Sequence, residues 1–178
     1  MIEWNTDQSW TLFLDRDGVI NERVIAGYIT DVQSFKFLPG VLPAIELLSK
    51  HFGKIVVVTN QQGIAKGLMT EEDLKGIHQY MHEEVEKHGG KIHKSYYAPG
   101  KSSPDNMLRK PNPGMALLAQ RQHEGIDFNK SVMVGDTDSD IIFGKKLGMK
   151  TVRIQTAEKI SVEADLTVLS LIDFAKSL

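Results

Sequence analysis

Trp10-Thr11-Leu12-Phe13-Leu14-Asp15-Arg16-Asp17-Gly18 is the stretch that decides the fold. Its apolar run reads as a buried strand, and the run ends abruptly in two carboxylates two residues apart. Both carboxylates then stand at one edge of a sheet. In open α/β folds that edge, at the carboxyl ends of the strands, is where ligands sit. One carboxylate of such a pair suits a nucleophile and the other a general acid or base.

Working outward, apolar runs alternate with segments of helical period. That alternation predicts a parallel sheet with helices on both faces. After Trp10 to Leu14, the second strand is Lys54 to Thr59, whose unbroken β-branched run fits burial on both faces. Ile92 to Ala98, Ser131 to Gly135 and Thr151 to Ile154 follow, and Asp165 to Val168 adds a short edge strand. One helix opens at Pro39-Gly40, carries Leu42, Ile45 and Leu48, and stops near Gly53. Another is capped by Thr70, with acids in its first turn, and runs through Leu74, Ile77, Met81 and Val85 to Gly89-Gly90. Pro113 begins a third that reaches Gly125, and Asp140 to Leu147 forms a fourth, stopped by Gly148. Two stretches are irregular. Asn21 to Leu38 contains Gly27 and reads as a hairpin-like flap over the acidic pair, and Pro99 to Asn112 is a loop. Neither is large enough for a cap domain.

Composition narrows the class. The chain has 178 residues, 41% hydrophobic and 25% charged, with net charge -2. One domain over residues 1–178 with a sizeable core is expected. No Lys/Arg stripe marks a nucleic-acid binder. With no cysteine at all, disulfides, thiolate catalysis and cysteine-ligated zinc are excluded. No apolar stretch approaches membrane-spanning length, and Met1-Ile2-Glu3-Trp4-Asn5 is not a signal peptide. The expectation is a cytoplasmic monomer acting on a small molecule, with no membrane partner.

The acidic pair is the first of four stations, each at a strand end or in a neighbouring loop. Asp15 would attack phosphorus, and Asp17 would protonate the leaving oxygen and then activate water. Thr59, with the amides of Asn60 and Gln61, would hold phosphate oxygens. Lys110 would add a positive charge. Asp136, with Asp140 close by, would bind Mg²⁺, a hard ion that keeps several waters and binds phosphate directly. A nucleophilic carboxylate facing a phosphate dianion meets strong repulsion, roughly 4 kcal/mol per unit-charge pair at about 4 Å and an effective dielectric of 20. The metal and lysine offset it, and the small negative charge that remains is expected to ease protonation of Asp17. Taken singly, each station has a plainer reading: a D-x-D turn, a strand-end Thr, a solvated loop lysine. A calcium loop starting at Asp136 fails, because Ile141 and Leu147 stand where Gly and Glu are needed. His78 and His82, four apart on a helix, are expected to be solvated, and the methionines to fill core gaps.

Four blocks together resemble the haloacid dehalogenase (HAD) superfamily. They are Asp15 to Asn21, Val57 to Ala65, Arg109 to Met115 and Met133 to Asp136. More narrowly they resemble its capless branch, which holds the heptose-bisphosphate and histidinol-phosphate phosphatases. The resemblance implies a three-layer, Rossmann-like α/β/α fold with no separate cap. It implies Mg²⁺ held by Asp15, Asp136 and the backbone carbonyl of Asp17. Asp15 would be nucleophile, Asp17 acid/base, and Thr59 and Lys110 phosphate ligands. Arg109 matches a position that contacts substrate outside the transferred phosphate, where a guanidinium suits the second phosphate of a sugar bisphosphate. The branch's zinc loop corresponds here to Ala98 to Leu108, which has no Cys or His. No zinc is expected, and the loop is either held by packing and prolines or mobile. Removal of the 7-phosphate of heptose bisphosphate is the favoured reaction, with histidinol phosphate as an alternative substrate. A phospho-acceptor receiver domain is the alternative of another class. Receivers need no acid/base two residues beyond the nucleophile, so Asp17→Asn separates the two.

Overall fold

The computed structural model describes residues 4–178. The signal-peptide reading of the first five residues thus falls mostly on residues 1–3, outside the described residues. Six strands form one all-parallel sheet: β1 (Thr11–Leu14), β2 (Lys54–Asn60), β3 (Lys94–Ala98), β4 (Ser131–Gly135), β5 (Lys150–Ile154) and β6 (Leu166–Val168). Their order is β3-β2-β1-β4-β5-β6. The helices are α1 (Val41–His51), α2 (Glu71–Lys87), α3 (Gly114–Gln122), α4 (Asp138–Lys146) and α5 (Leu171–Ser177).

Successive residues of a strand face opposite sides of the sheet, so each strand feeds two cores. Leu12, Leu14, Ile55, Val57, Val132 and Val134 face one side, where α1, α2 and α5 pack. Phe13, Val56, Val58 and Met133 face the other, against α3 and α4. Each fully buried side chain of this kind contributes about 1.5–3 kcal/mol. The three-layer α/β/α architecture follows. Met69, Met81, Met115, Met133 and Met149 are all buried in these cores, as the sequence suggests. No helix among the described residues is long and apolar enough to cross a membrane.

The differences from expectation are local. Helix α4 starts two residues early because Thr137 is its cap: the Thr137 N–H and hydroxyl donate to Asp140 Oδ2 at 3.0 and 2.7 Å. Helix α3 ends at Gln122, before the left-handed Gly125. Helix α5, capped by Ser170, was not expected. His78 is not solvated, and His82 is only half-buried. His78 is buried with Nε2 3.4 Å from Arg16 Nη1, and His82 Nε2 lies 2.8 Å from Ser95 Oγ.

Asn21 to Leu38 forms a flap, laced at its base by Glu22 N to Lys36 O (2.8 Å) and Leu38 N to Ile20 O (3.0 Å). The 99–112 loop has hydrogen bonds of its own beside its prolines. Two asparagine amides staple it: Asn112 Nδ2 donates to Pro104 O and Asn106 O, both at 3.0 Å, and Asn106 Nδ2 donates to Lys101 O at 3.2 Å.

Candidate active site

The chain runs to one side of β1 through β2 and β3, then returns to its other side with β4. The carboxyl ends of β1 and β4 flank the resulting crevice, the usual ligand position in such sheets. Asp15 follows β1, and its N–H donates to Val134 O at 2.9 Å. Asp136 follows β4, and Asp140 lies in the first turn of α4. One carboxylate oxygen from each of these three buried residues lies within 4.8 Å of the other two. Two glycines permit the crowding. A Cβ on Gly18, whose φ is +88°, would collide with the Asp136 carboxylate, and one on Gly135 would collide with Asp140.

Lys110 reaches into this cluster and is only 3% exposed. Its Nζ lies 2.8 Å from Asp15 Oδ1 and 2.6 Å from Asp140 Oδ1. Burial alone would push the Lys110 pKa down, but the two carboxylates outweigh it and hold the ammonium charged. The carboxyls go the other way. Burial first, and then repulsion from Asp140, push Asp15 up to about 8 and Asp136 up to about 6. The three carboxyls share the charges of Lys110 and Arg23, and Arg23 is divided further with Glu158. Asp136 Oδ1 is buried with no hydrogen-bond partner. An orphaned hard oxygen in an anionic cluster fits a small divalent cation.

Asp17 stands beside this cluster with a different environment. Arg16 Nη2 donates to both its oxygens at 2.9 and 3.1 Å, Asn21 Nδ2 to Oδ1 at 2.9 Å, and Gln61 Nε2 to Oδ2 at 2.7 Å. Burial would raise its pKa, but the Arg16 charge and these hydrogen bonds prevail and hold it below the usual value. The expectation of easier protonation is therefore reversed, because Arg16 is fully buried against it.

Asp15, Asp17, Thr59, Asn60, Arg109 and Lys110 all line one cavity of about 780 Å³, roofed by the flap residues Arg23 to Ile29. The site residues expected from sequence are thus brought together, with two changes of contact. The Asn60 side chain is occupied by the backbone of Lys110, accepting from Lys110 N at 3.0 Å and donating to Lys110 O at 3.2 Å. It aims the lysine and leaves one Nδ2 hydrogen for substrate. The Gln61 N–H is taken, by Ala98 O at 2.8 Å.

Arg23 is the residue the sequence did not reveal. It projects from the flap, and Nη1 lies 3.0 Å from both Asp136 Oδ2 and Glu158 Oε1. Its partners are distant in sequence, so only the flap assignment pointed toward it.

A HAD-hydrolase-like family model matches residues 107–167. A D-glycero-α-D-manno-heptose-1,7-bisphosphate 7-phosphatase of Mycobacterium bovis is 38% identical over 141 residues, 79% of this chain and 74% of the relative. The β-anomer enzyme of Vibrio cholerae is 35% identical over 170 residues, 91% of this chain and 90% of the relative. In structure, a D,D-heptose 1,7-bisphosphate phosphatase from B. bronchiseptica, complexed with magnesium and phosphate, superposes with a TM-score of 0.85 at 28% identity. It covers 94% of this chain and 97% of that one. Fold, site and relatives define a phosphoric monoester hydrolase of the HAD superfamily. Within it, the chain belongs to the capless family of the D-glycero-D-manno-heptose-1,7-bisphosphate 7-phosphatases.

Proposed function

We propose that this protein removes the 7-phosphate of D-glycero-D-manno-heptose 1,7-bisphosphate, with Mg²⁺, through an aspartyl-phosphate on Asp15. The observation that carries the substrate is Arg109. It lines the same cavity as Asp15, and its Nη1 is buried with no hydrogen-bond partner. Burial pushes its pKa down, with little opposing charge from Tyr28. A guanidinium left in this state suits a second phosphate, which a bisphosphate supplies. It disfavours the cationic amine of histidinol phosphate.

In this reading Asp15 attacks phosphorus while the bond to the sugar oxygen breaks. Asp17 gives that oxygen a proton, then takes one from the water that cleaves the aspartyl-phosphate. Thr59 and Lys110 hold non-bridging oxygens, and Asp140 and Asn60 keep Lys110 aimed. Asp15, Asp136 and the carbonyl of Asp17 would hold Mg²⁺, which offsets phosphate charge. Asp17 starts ionised in the free enzyme, so it has to acquire its proton when substrate enters and its hydrogen bonds rearrange. A structural zinc is not part of this proposal, because the asparagine staples already shape the 99–112 loop.

The test is phosphate release with Mg²⁺ from the heptose bisphosphate, beside histidinol phosphate and common sugar phosphates. A clear preference for the heptose, with kcat/KM of about 10⁴ M⁻¹s⁻¹ or more, is expected. A preference for histidinol phosphate would overturn the substrate. Turnover unchanged in Asp17→Asn would overturn the acid/base role. Stoichiometric zinc in the purified protein would overturn the zinc-free loop.

A further inference from the structure

Gln61 follows β2 and is 1% exposed. Its side-chain amide is spent across the site, on two groups with separate duties. Nε2 donates to Asp17 Oδ2 at 2.7 Å and to Thr59 Oγ1 at 2.9 Å. An amide nitrogen carries two hydrogens, so both are used.

We propose that Gln61 is a positioning residue that ties the seating of phosphate on Thr59 to the aim of Asp17. The proposal rests on the reading of Thr59 as phosphate ligand and Asp17 as acid/base. Two consequences of the geometry carry it. Thr59 Oγ1 accepts from Gln61, so its own hydroxyl hydrogen is left for another acceptor, and the cavity is where an anionic oxygen would stand. Without Gln61 that hydroxyl is free to turn a lone pair toward the phosphate. At the other end, Arg16 and Asn21 hold Asp17 from the flap side, and Gln61 holds it from the phosphate side. Donors from Arg16, Asn21 and Gln61 converging on one buried carboxylate restrict it to one arrangement.

The step affected is definite. As the Asp15–phosphorus bond forms, the bond to the leaving oxygen breaks and its electron pair stays on that oxygen. Asp17 then supplies the proton. A misaimed Asp17 slows the step only when the leaving oxygen needs that proton. Leaving-group dependence therefore distinguishes aim from general damage.

The experiment compares kcat/KM across aryl phosphates from 2,4-dinitrophenyl to phenyl phosphate. The enzymes are wild type, Gln61→Met, Gln61→Glu, Asp17→Asn and the double variant Asp17→Asn/Gln61→Met. The ratio between two substrates in one preparation is independent of the folded fraction, and Gln61→Glu serves if Gln61→Met folds poorly. Asp17→Asn is expected to slow phenyl phosphate much more than dinitrophenyl phosphate. Gln61→Met and Gln61→Glu should show the same bias, about tenfold or more, within the usual range for acid assistance. The double variant should be no more biased than Asp17→Asn, since residues acting as a unit are not additive. If Asp17→Asn is biased but the Gln61 variants slow all substrates equally, or none, the proposal fails while the catalytic reading stands. If Asp17→Asn itself shows no bias, the acid/base reading fails and takes the proposal with it.

Discussion

Lys110 lies between Asp15 and Asp140 with almost no exposure, so its removal strands two buried carboxylates. Breaking a buried pair from one side typically costs about 3–5 kcal/mol. Lys110→Met is therefore expected to lose roughly that much stability in urea denaturation, along with its turnover. A loss below about 1 kcal/mol would show the cluster to be already neutralised by protonation. His78 gives a pH-dependent prediction. Burial first, then the charges of Arg16 and His82, push it down to about 3, against an ordinary 6.5. Between those values the unfolded chain binds the extra proton. Its contribution is whole above about pH 6.5 and is lost as pH falls, by at most about 1.4 kcal/mol per pH unit. His78→Gln should flatten the decline of stability between pH 6.5 and 4.5, and an unchanged slope would assign that decline to other groups. The sequence carried Asp15, Asp17, Thr59, Lys110 and Asp136 because each lies next to an apolar run or a proline that marks it. Arg23 carried no such mark, and nothing local showed how Gln61 and His78, both noted in the sequence, are paired. What distinguishes them is a partner far along the chain, as with Arg23 and Asp136, 113 residues apart.

Helix α4 and the flap are the elements that shape the site. Gly135 ends β4, and the space a side chain would need there is filled by Asp140 of α4. Gly135→Ala must push the helix away from the sheet or turn Asp140 off Lys110. A loss of about 1–3 kcal/mol, the usual cost of overpacking, is expected together with reduced activity. Wild-type melting and turnover would mean the junction yields freely. Arg23 fastens the flap, but its side chain is 42% exposed, so the pair is worth at most about 1 kcal/mol. Arg23→Gln should then raise amide exchange at Val24 to Tyr28 by up to about fivefold. Unchanged exchange by mass spectrometry would show that the hydrogen bonds at the flap base suffice. Legibility at this scale followed length. Long periodic segments such as α2 and the β-branched run of β2 could be read directly. Helix α5, seven residues long, is too short to show a period, though Ser170 and Asp173 are spaced as a cap.

At the scale of the molecule, the sheet brings three carboxylates from two strand ends and one helix into a single anionic cluster. An ion bound there holds only the folded form. Mg²⁺ at about one hundred times its dissociation constant should stabilise the fold by about 2.7 kcal/mol. For a chain of this length that is roughly 5–10 °C in Tm. A thermal shift titration checks it, and no shift would mean the cluster is not an ion site. Alternating apolar and periodic segments made the parallel sheet legible, though not the strand order. The 99–112 loop was not, because its shape comes from amide-to-carbonyl bonds that leave no pattern in composition. Those staples have a consequence for where the protein can work. A loop closed by thiolates depends on a trace metal and on reducing surroundings, and it opens when either is withdrawn. Bonds from Asn106 and Asn112 need neither, so in the proposed zinc-free loop chelators and oxidants are expected to leave the shape unchanged.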